Sequence, residues 1–332
     1  MHSKKKLVIG TALAIAISAA ATIYVFWHLP AEAGDIFPLP FPSKQLALAM
    51  ALLILAWLAD SLRLRILTRA IDREITYATA LRAIWSGNFL TLITPFLFGG
   101  TPAVIYVLKE AGLTWLEAGA VVTVGGWLSQ MVLVGLSLVA VLGLQNLGVP
   151  FPWHNAFLTG VLLYLAALLG LLVLLIQPKL ANQIVNLLPS GIRNKAEKAL
   201  HQFYCDLTTL LARSPVLLLL AMGASTAYFI CLFSIAPILL ASSFPQFTAR
   251  VWLYLQNVAY IGPLFAPTPG ASGASELWQL AVFDPVLPAT MARQYLLMWR
   301  LLTFYLNILV GGIAFIFSSW RLFVGTVHPR HR

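Results

Sequence analysis

Between Phe157 and Gln177 the chain reads FLTGVLLYLAALLGLLVLLIQ, with no charged side chain in the run. About 20 such residues are enough to cross a bilayer core as a helix. In hydrocarbon the backbone N–H and C=O groups must satisfy one another, so a spanning segment is either a helix or part of a closed barrel. The same reading applies to Leu7–His28, Gln45–Ala59, Trp115–Leu144, Val216–Ala241 and Ala289–Ser318. The chain is 60% hydrophobic and only 10% charged, whereas a water-soluble domain carries about 25% charge. These runs predict an all-α polytopic membrane protein with about six full transmembrane helices.

The start of the chain has two features of a secretory signal. HSKKK precedes Leu7–His28, and Ala-Glu-Ala follows at Ala31–Ala33. The apolar run is longer than the roughly 7–15 residues of a signal-peptide core, so it reads as the first transmembrane helix. Cys205 and Cys231 have no partner nearby in sequence, and no structural disulfide is expected.

Two further apolar stretches, Ala83–Leu108 and Val251–Phe283, are interrupted near their middles by Pro and Gly, the residues least compatible with a helix interior. If both are re-entrant hairpins, entering and leaving on one side, the basic residues sort strongly. Lys4–Lys6, Arg63, Arg65, Arg69, Arg73, Arg82, Lys109, Lys179, Arg193, Lys195, Lys198, Arg213, Arg321, Arg330 and Arg332 then share one face, and only Lys44 and Arg250 lie opposite. The rule that short cytoplasmic loops collect Lys and Arg puts both termini in the cytoplasm. It also accounts for the net charge of +10 without a nucleic-acid partner.

This topology contains a repeat. Residues 1–145 read span, span, hairpin, span, and residues 146–320 read the same starting from the other side. A short basic tail, 321–332, follows. Such an inverted-topology repeat is a common transporter architecture. The interruptions share T-P-x-x-x-G, at Thr94–Gly99 and at Thr268–Gly273. Between two spans of the second half, the segment 180–213 mixes bases with apolar residues. Its Leu200, Phe203, Leu207 and Leu210 or Leu211 have helical spacing and read as a cytoplasmic interfacial helical segment.

After each break a helix can restart. Thr101 can cap one starting at Pro102, and Ser272 or Ser275 one running through Leu277–Val282. The N-terminal N–H groups and positive dipole ends would then face the midplane from opposite sides, making a candidate anion site. Thr94, Gly99, Gly100, Thr101, Thr268, Gly270, Ser272 and Gly273 would line it. Arg300 would supply positive charge, and Glu276 would orient it or exchange a proton. Arg293, Thr303 and Asn307 share the polar stripe of Arg300 and are accessory candidates, although Arg293 also fits an outer-interface position. Asp60, Arg63 and Arg65 close the second span, where the arginines read as positive-inside anchors. No histidine lies in a broken segment. The chain has no H-E-x-x-H, Walker or Cys/His pattern, so neither a metal nor a cofactor is expected.

Three ordered motifs, at Thr94–Gly112, Pro267–Glu276 and Trp299–Gly312, resemble the lysylphosphatidylglycerol synthase transmembrane-region family of flippase-like membrane proteins. Ala271 stands where that pattern usually has a second Gly, and Thr101 where Gln is frequent. The resemblance implies movement of a lipid headgroup between leaflets, the lipid being of phospholipid, polyprenyl-phosphate-linked or hopanoid type. The aminoacyl transferase domain of multiple-peptide-resistance-type members has no counterpart here, so lipid synthesis is not carried over. The rival expectations are an intramembrane polyprenyl-diphosphate phosphatase-like enzyme, which PGASGAS faintly resembles, and a non-transporting scaffold for a lipid-modifying enzyme. Homo-oligomerisation is left open.

Overall fold

The computed structural model of the chain describes residues 16, 20, 41–94, 96, 99–149, 151, 153–177, 190–213 and 215–325. The span expected over Leu7–His28 lies outside the described residues, apart from two isolated positions. So do the start of the interfacial segment, 180–189, and the end of the tail, 326–332.

The described residues form an all-α membrane protein. The helices are α1 (Ser43–Arg69), α2 (Tyr77–Ile93), α3 (Gly100–Glu110), α4 (Trp115–Asn146), α5 (His154–Ile176), α6 (Ser190–Arg213), α7 (Pro215–Phe233), α8 (Ile235–Leu240), α9 (Ala249–Ile261), α10 (Ala274–Phe283), α11 (Ala289–Arg300) and α12 (Leu306–Gly325). Five segments are long and apolar enough to cross a membrane: Ser43–Arg69, Trp115–Asn146, His154–Val173, Pro215–Leu240 and Ala289–Ser318. Leu163, Leu219 and Phe317 are each about two-thirds exposed. That outward apolar surface suits lipid contact, because with no water to exclude the bundle has no reason to bury it.

The first helix runs further than expected. The sequence ends the span at Ala59 because charge begins at Asp60, yet α1 continues to Arg69. The charges find partners close by: Asp60 and Arg63 pair at 2.6 Å, one turn apart. Arg65 donates from Nε to the Ile75 carbonyl at 3.1 Å and lies over the Tyr77 ring. Likewise α12 passes Ser318 and runs to Gly325.

Both interrupted stretches fold back on themselves. A Cβ on Gly87 of α2 would stand 2.7 Å from Val104 of α3, and Gly100 packs against Thr91, so residues pair across the break as in an antiparallel helical hairpin. In the second stretch Trp278 of α10 donates to the Val258 carbonyl of α9 at 2.9 Å, and Trp252 stacks on Phe283. Each hairpin's first helix lies along the last long helix of the other half: α2 along α12, and α9 along α4. Gly311 makes the first of these contacts possible, because a side chain there would strike the Trp85 carbonyl and Phe89. The second spans of the two halves, α1 and α7, pack on each other.

Part of the stripe on α6 packs against protein. Leu207 and Leu210 are buried in a core shared with Leu67, Leu108, Val121 and Ala221, and α6 packs on α4. Leu207 and Leu210 are thus covered by protein, while Leu200 and Phe203 are half-buried.

Candidate functional site

The second break contains the most constrained backbone in the bundle. Thr268 is extended, then Gly270 (φ 57°), Ala271 (φ 53°) and Gly273 (φ 86°) all take positive φ. Such angles cost an L-residue about 1–2 kcal/mol and cost glycine almost nothing. Ala271 bears that strain, which explains why Gly is the residue expected at its position. The Thr268 hydroxyl donates to the Ser272 carbonyl at 2.7 Å and closes the loop.

The cap of α10 differs from the sequence expectation. Neither Ser272 nor Ser275 caps it. Gly273 is the N-cap, and its N–H donates to Glu276 Oε2 at 2.8 Å. The Glu276 carboxylate thus satisfies a donor that the helix start would otherwise leave open. Its other oxygen, Oε1, accepts from Arg300 Nε at 2.9 Å, with Nη2 at 2.6 Å. Arg300 Nη1 reaches the Gly270 carbonyl at 3.4 Å, and the guanidinium lies 4.8 Å from the centre of the Phe304 ring. Glu276 is 0% and Arg300 4% exposed. Arg300 is the last residue of α11, and a π-turn follows at Leu301–Tyr305. This widening sits at the charged residue, a setting in which such turns are frequent.

The first break is held by one hydroxyl. Thr94 Oγ1 donates to the Leu90 carbonyl at 2.7 Å and accepts from Gly99 N at 2.8 Å. Gly99 is the N-cap of α3 and Gly100 its first residue. Thr101, expected as a cap, is instead exposed within the first turn. Proline at 102 is tolerated because N–H groups this early in a helix have no intrahelical acceptor.

The second break packs on the end of α2. A Cβ on Gly270 would stand 2.9 Å from the Leu92 carbonyl, next to the Phe304 ring. Beside this contact lies a cavity of about 170 Å³. Its polar lining comes from Asn88 and Thr91 on α2, Tyr228 on α7, Tyr260 on α9, Ser275 on α10, and Arg300, Thr303 and Asn307 on the last span. Trp57, Trp299 and Phe304 add aromatic walls. Asn307 ties three helices together: its Oδ1 accepts from Trp57 Nε1 at 3.1 Å and from Asn88 Nδ2 at 3.2 Å, while its Nδ2 donates to the Thr303 carbonyl at 2.8 Å.

Of the residues singled out from sequence, Gly270, Ser275, Arg300, Thr303 and Asn307 line this cavity. Glu276 holds Arg300 from behind. Thr94, Gly99, Gly100, Thr268, Ser272 and Gly273 shape the two breaks but are not among the lining residues, and Thr101 faces outward. Arg293 is 2% exposed, and its Nε and Nη2 make no hydrogen bond. Asn88, Thr91, Tyr228 and Tyr260 were not found from sequence. Asn88, an amide inside an apolar helix one turn and a half before Thr94, was the available signal. Among the described residues no group of three or more His, Cys, Asp or Glu could hold a metal.

The family model for the lysylphosphatidylglycerol synthase TM region matches residues 12–311. The chain is also 21% identical over 319 residues to a UPF0104 membrane protein of Archaeoglobus fulgidus, covering 92% of this chain and 96% of the relative. The chain belongs to the lysylphosphatidylglycerol synthase transmembrane-region family.

Proposed function

We propose that this family member moves a lipid bearing a phosphate or other anionic headgroup between the leaflets of the bacterial inner membrane, by alternating access. The observation that carries the reading is the buried Glu276–Arg300 pair at the edge of a polar cavity where the two broken segments meet. A charged pair is costly inside a membrane and normally marks a substrate or ion pathway. Irregular backbone at membrane depth is tolerated where it is buried in protein or lines a wet cavity, which fits the breaks at Thr94–Gly99 and Thr268–Gly273.

In this reading the two helical hairpins are re-entrant, the halves 1–145 and 146–320 form an inverted repeat, and both termini are cytoplasmic. The exchanged packing of α2 on α12 and α9 on α4 supports it, because two halves related by a two-fold axis would exchange partners in this way. The headgroup displaces Glu276 from Arg300 and takes Nε and Nη2. Asn88, Thr91, Ser275 and Thr303 supply neutral hydrogen bonds, and the acyl or isoprenoid chains stay in the bilayer.

The test is translocation of fluorescent or isotopically labelled phosphatidylglycerol, polyprenyl phosphate and a neutral hopanoid in proteoliposomes. Wild-type protein should move at least one phosphate-bearing lipid, and Arg300→Ala and Glu276→Gln should each slow it at least tenfold. Wild-type rates in both variants would overturn the assignment. Phosphate release from a polyprenyl diphosphate would favour an enzyme, and inert purified protein would favour a scaffold.

A further inference from the structure

A second space lies beside the polar cavity, against the same hairpin. It is a groove of about 380 Å³, next to about 170 Å³ for the cavity. Trp153, Phe157, Gly160 and Tyr164 form one side of it, at the spacing that puts residues on one helix face. They follow the membrane span α5 for roughly 16 Å at 1.5 Å per residue. Ile261 and Gly262 at the end of α9, with Trp278 of α10, form the other side. The Trp278 ring centre lies 5.8 Å from that of Trp153 and 6.1 Å from that of Phe157. Its Nε1 donates to the Val258 carbonyl, and the Tyr164 hydroxyl donates to Gln130 Oε1 at 2.9 Å. With those polar atoms engaged, the groove presents ring faces and hydrocarbon. Ala156 and Gly160, which line it, are exposed, so it opens outward along a membrane span.

A thin wall separates the two spaces. Tyr260, Pro263 and Leu264 line the cavity, and Ile261 and Gly262 between them line the groove. On α10, Ser275 lines the cavity and Trp278, one turn on, lines the groove. Gly262 keeps the wall to backbone thickness, because a Cβ on it would stand 2.2 Å from Trp278 Nε1. Any groove on a membrane span meets hydrocarbon, since lipid tails are as apolar as its lining. The shared wall is what ties this one to the cavity. A polar cavity holding one arginine, set against a longer apolar groove, matches a molecule that is anionic at one end and hydrocarbon at the other.

We infer that the groove holds a hydrocarbon chain of the same lipid whose headgroup enters the cavity, the linkage between them passing the wall beside Trp278. This rests on the translocation reading above and deepens it. Of the chains that stay in the bilayer, one lies against α5 and Trp278. The protein therefore recognises its lipid by chain as well as by headgroup, and a headgroup with short chains is a poorer substrate than its binding to the cavity alone would make it.

The experiment compares wild type, Gly160→Trp and Arg300→Ala in the full-length protein. A Cβ on Gly160 would meet nothing within 4 Å, so the indole can fill the groove without displacing protein. Gly160→Trp should slow translocation of long-chain phosphatidylglycerol several-fold in proteoliposomes. It should leave binding of water-soluble dihexanoyl phosphatidic acid in detergent as in wild type, because the short chains cover only part of the groove. Wild-type translocation by Gly160→Trp overturns the inference. A second measurement uses phosphatidylglycerol with a diazirine in its chain. Irradiation should label Ala156 and Gly160, and excess dihexanoyl phosphatidic acid should suppress those adducts but not adducts at the outward-facing Leu219 and Phe317. If Gly160→Trp does not fold or loses the short lipid, this labelling decides alone, and groove adducts no more sensitive to the competitor than those at Leu219 overturn the inference. Lost translocation in Arg300→Ala with undiminished groove adducts overturns the chain site and leaves the headgroup site. Wild-type translocation in Arg300→Ala removes the reading on which both rest.

Discussion

Arg300 Nε donates to Glu276 Oε1 at 2.9 Å inside the bundle, while the other carboxylate oxygen of Glu276 accepts from Gly273 N at 2.8 Å. One carboxylate therefore caps a helix and neutralises a cation. Removing either charge leaves the other buried and unpaired, at a cost of about 3–5 kcal/mol. Arg300→Met and Glu276→Gln should each lose stability on that scale. The double substitution should recover much of it, because Gln keeps an acceptor for Gly273. Thermal unfolding in detergent across the four proteins gives the coupling, and additive losses would show that the pair does not act as a unit.

Ala271 sits at φ 53° in the second break. Ala271→Gly should stabilise the protein by about 1 kcal/mol, the cost of a left-handed L-residue, partly offset by the freedom glycine gains in the unfolded chain. Ala271→Val should lose more than 1 kcal/mol, since β-branched residues are rarer still at positive φ. Melting temperatures of the three proteins check the order Gly above Ala above Val.

Gly270 is where the second break packs on the end of α2. A Cβ there would collide with the Phe304 ring and stand 2.9 Å from the Leu92 carbonyl. Gly270→Ala adds a positive-φ penalty and should cost about 2 kcal/mol or more in strain and overpacking. Translocation should fall more than stability does, because the second break would move away from α2 at the cavity edge. A parallel measurement of melting and proteoliposome transport distinguishes the two effects.

Asn307 is the acceptor for both Trp57 and Asn88. Asn307→Leu leaves the buried Trp57 donor unsatisfied, at about 1–3 kcal/mol, and removes the partner of the half-buried Asn88 amide. Asn307→Asp keeps the acceptor but adds a negative charge to the cavity. Leu should therefore lower the melting temperature, and Asp should weaken binding of dihexanoyl phosphatidic acid. Equal effects of the two on binding would show that Asn307 acts through packing alone.

The long helices were legible because hydrocarbon leaves the backbone few choices, and runs such as Phe157–Gln177 carry that constraint in composition alone. The Glu276–Arg300 partnership was legible because each charge, expensive in an apolar setting, needs an opposite one. The caps were misread because the groups that satisfy Gly99 and Gly273 are Thr94, five residues before, and Glu276, three residues after, not the neighbouring Thr101 or Ser272. Local propensity cannot rank these options. The end of α1 was misread for a related reason: Asp60 looked like a boundary, but its pairing with Arg63 lets the helix continue. Asn88, Tyr228 and Tyr260 reach the cavity through tertiary packing between distant helices, and no spacing rule in the sequence brings them there.

The central claim is that a lipid headgroup enters the cavity beside Arg300. A photoreactive benzoylphenylalanine at Ser275, which lines the cavity on α10, tests this directly. The protein is irradiated in membranes containing a phosphate-bearing lipid that it translocates, and the adduct is identified by mass spectrometry. The account requires a lipid adduct at position 275 that is lost when Arg300→Ala is added, with the protein still folded. No adduct in a protein that still translocates, or an adduct unaffected by Arg300→Ala, would contradict it.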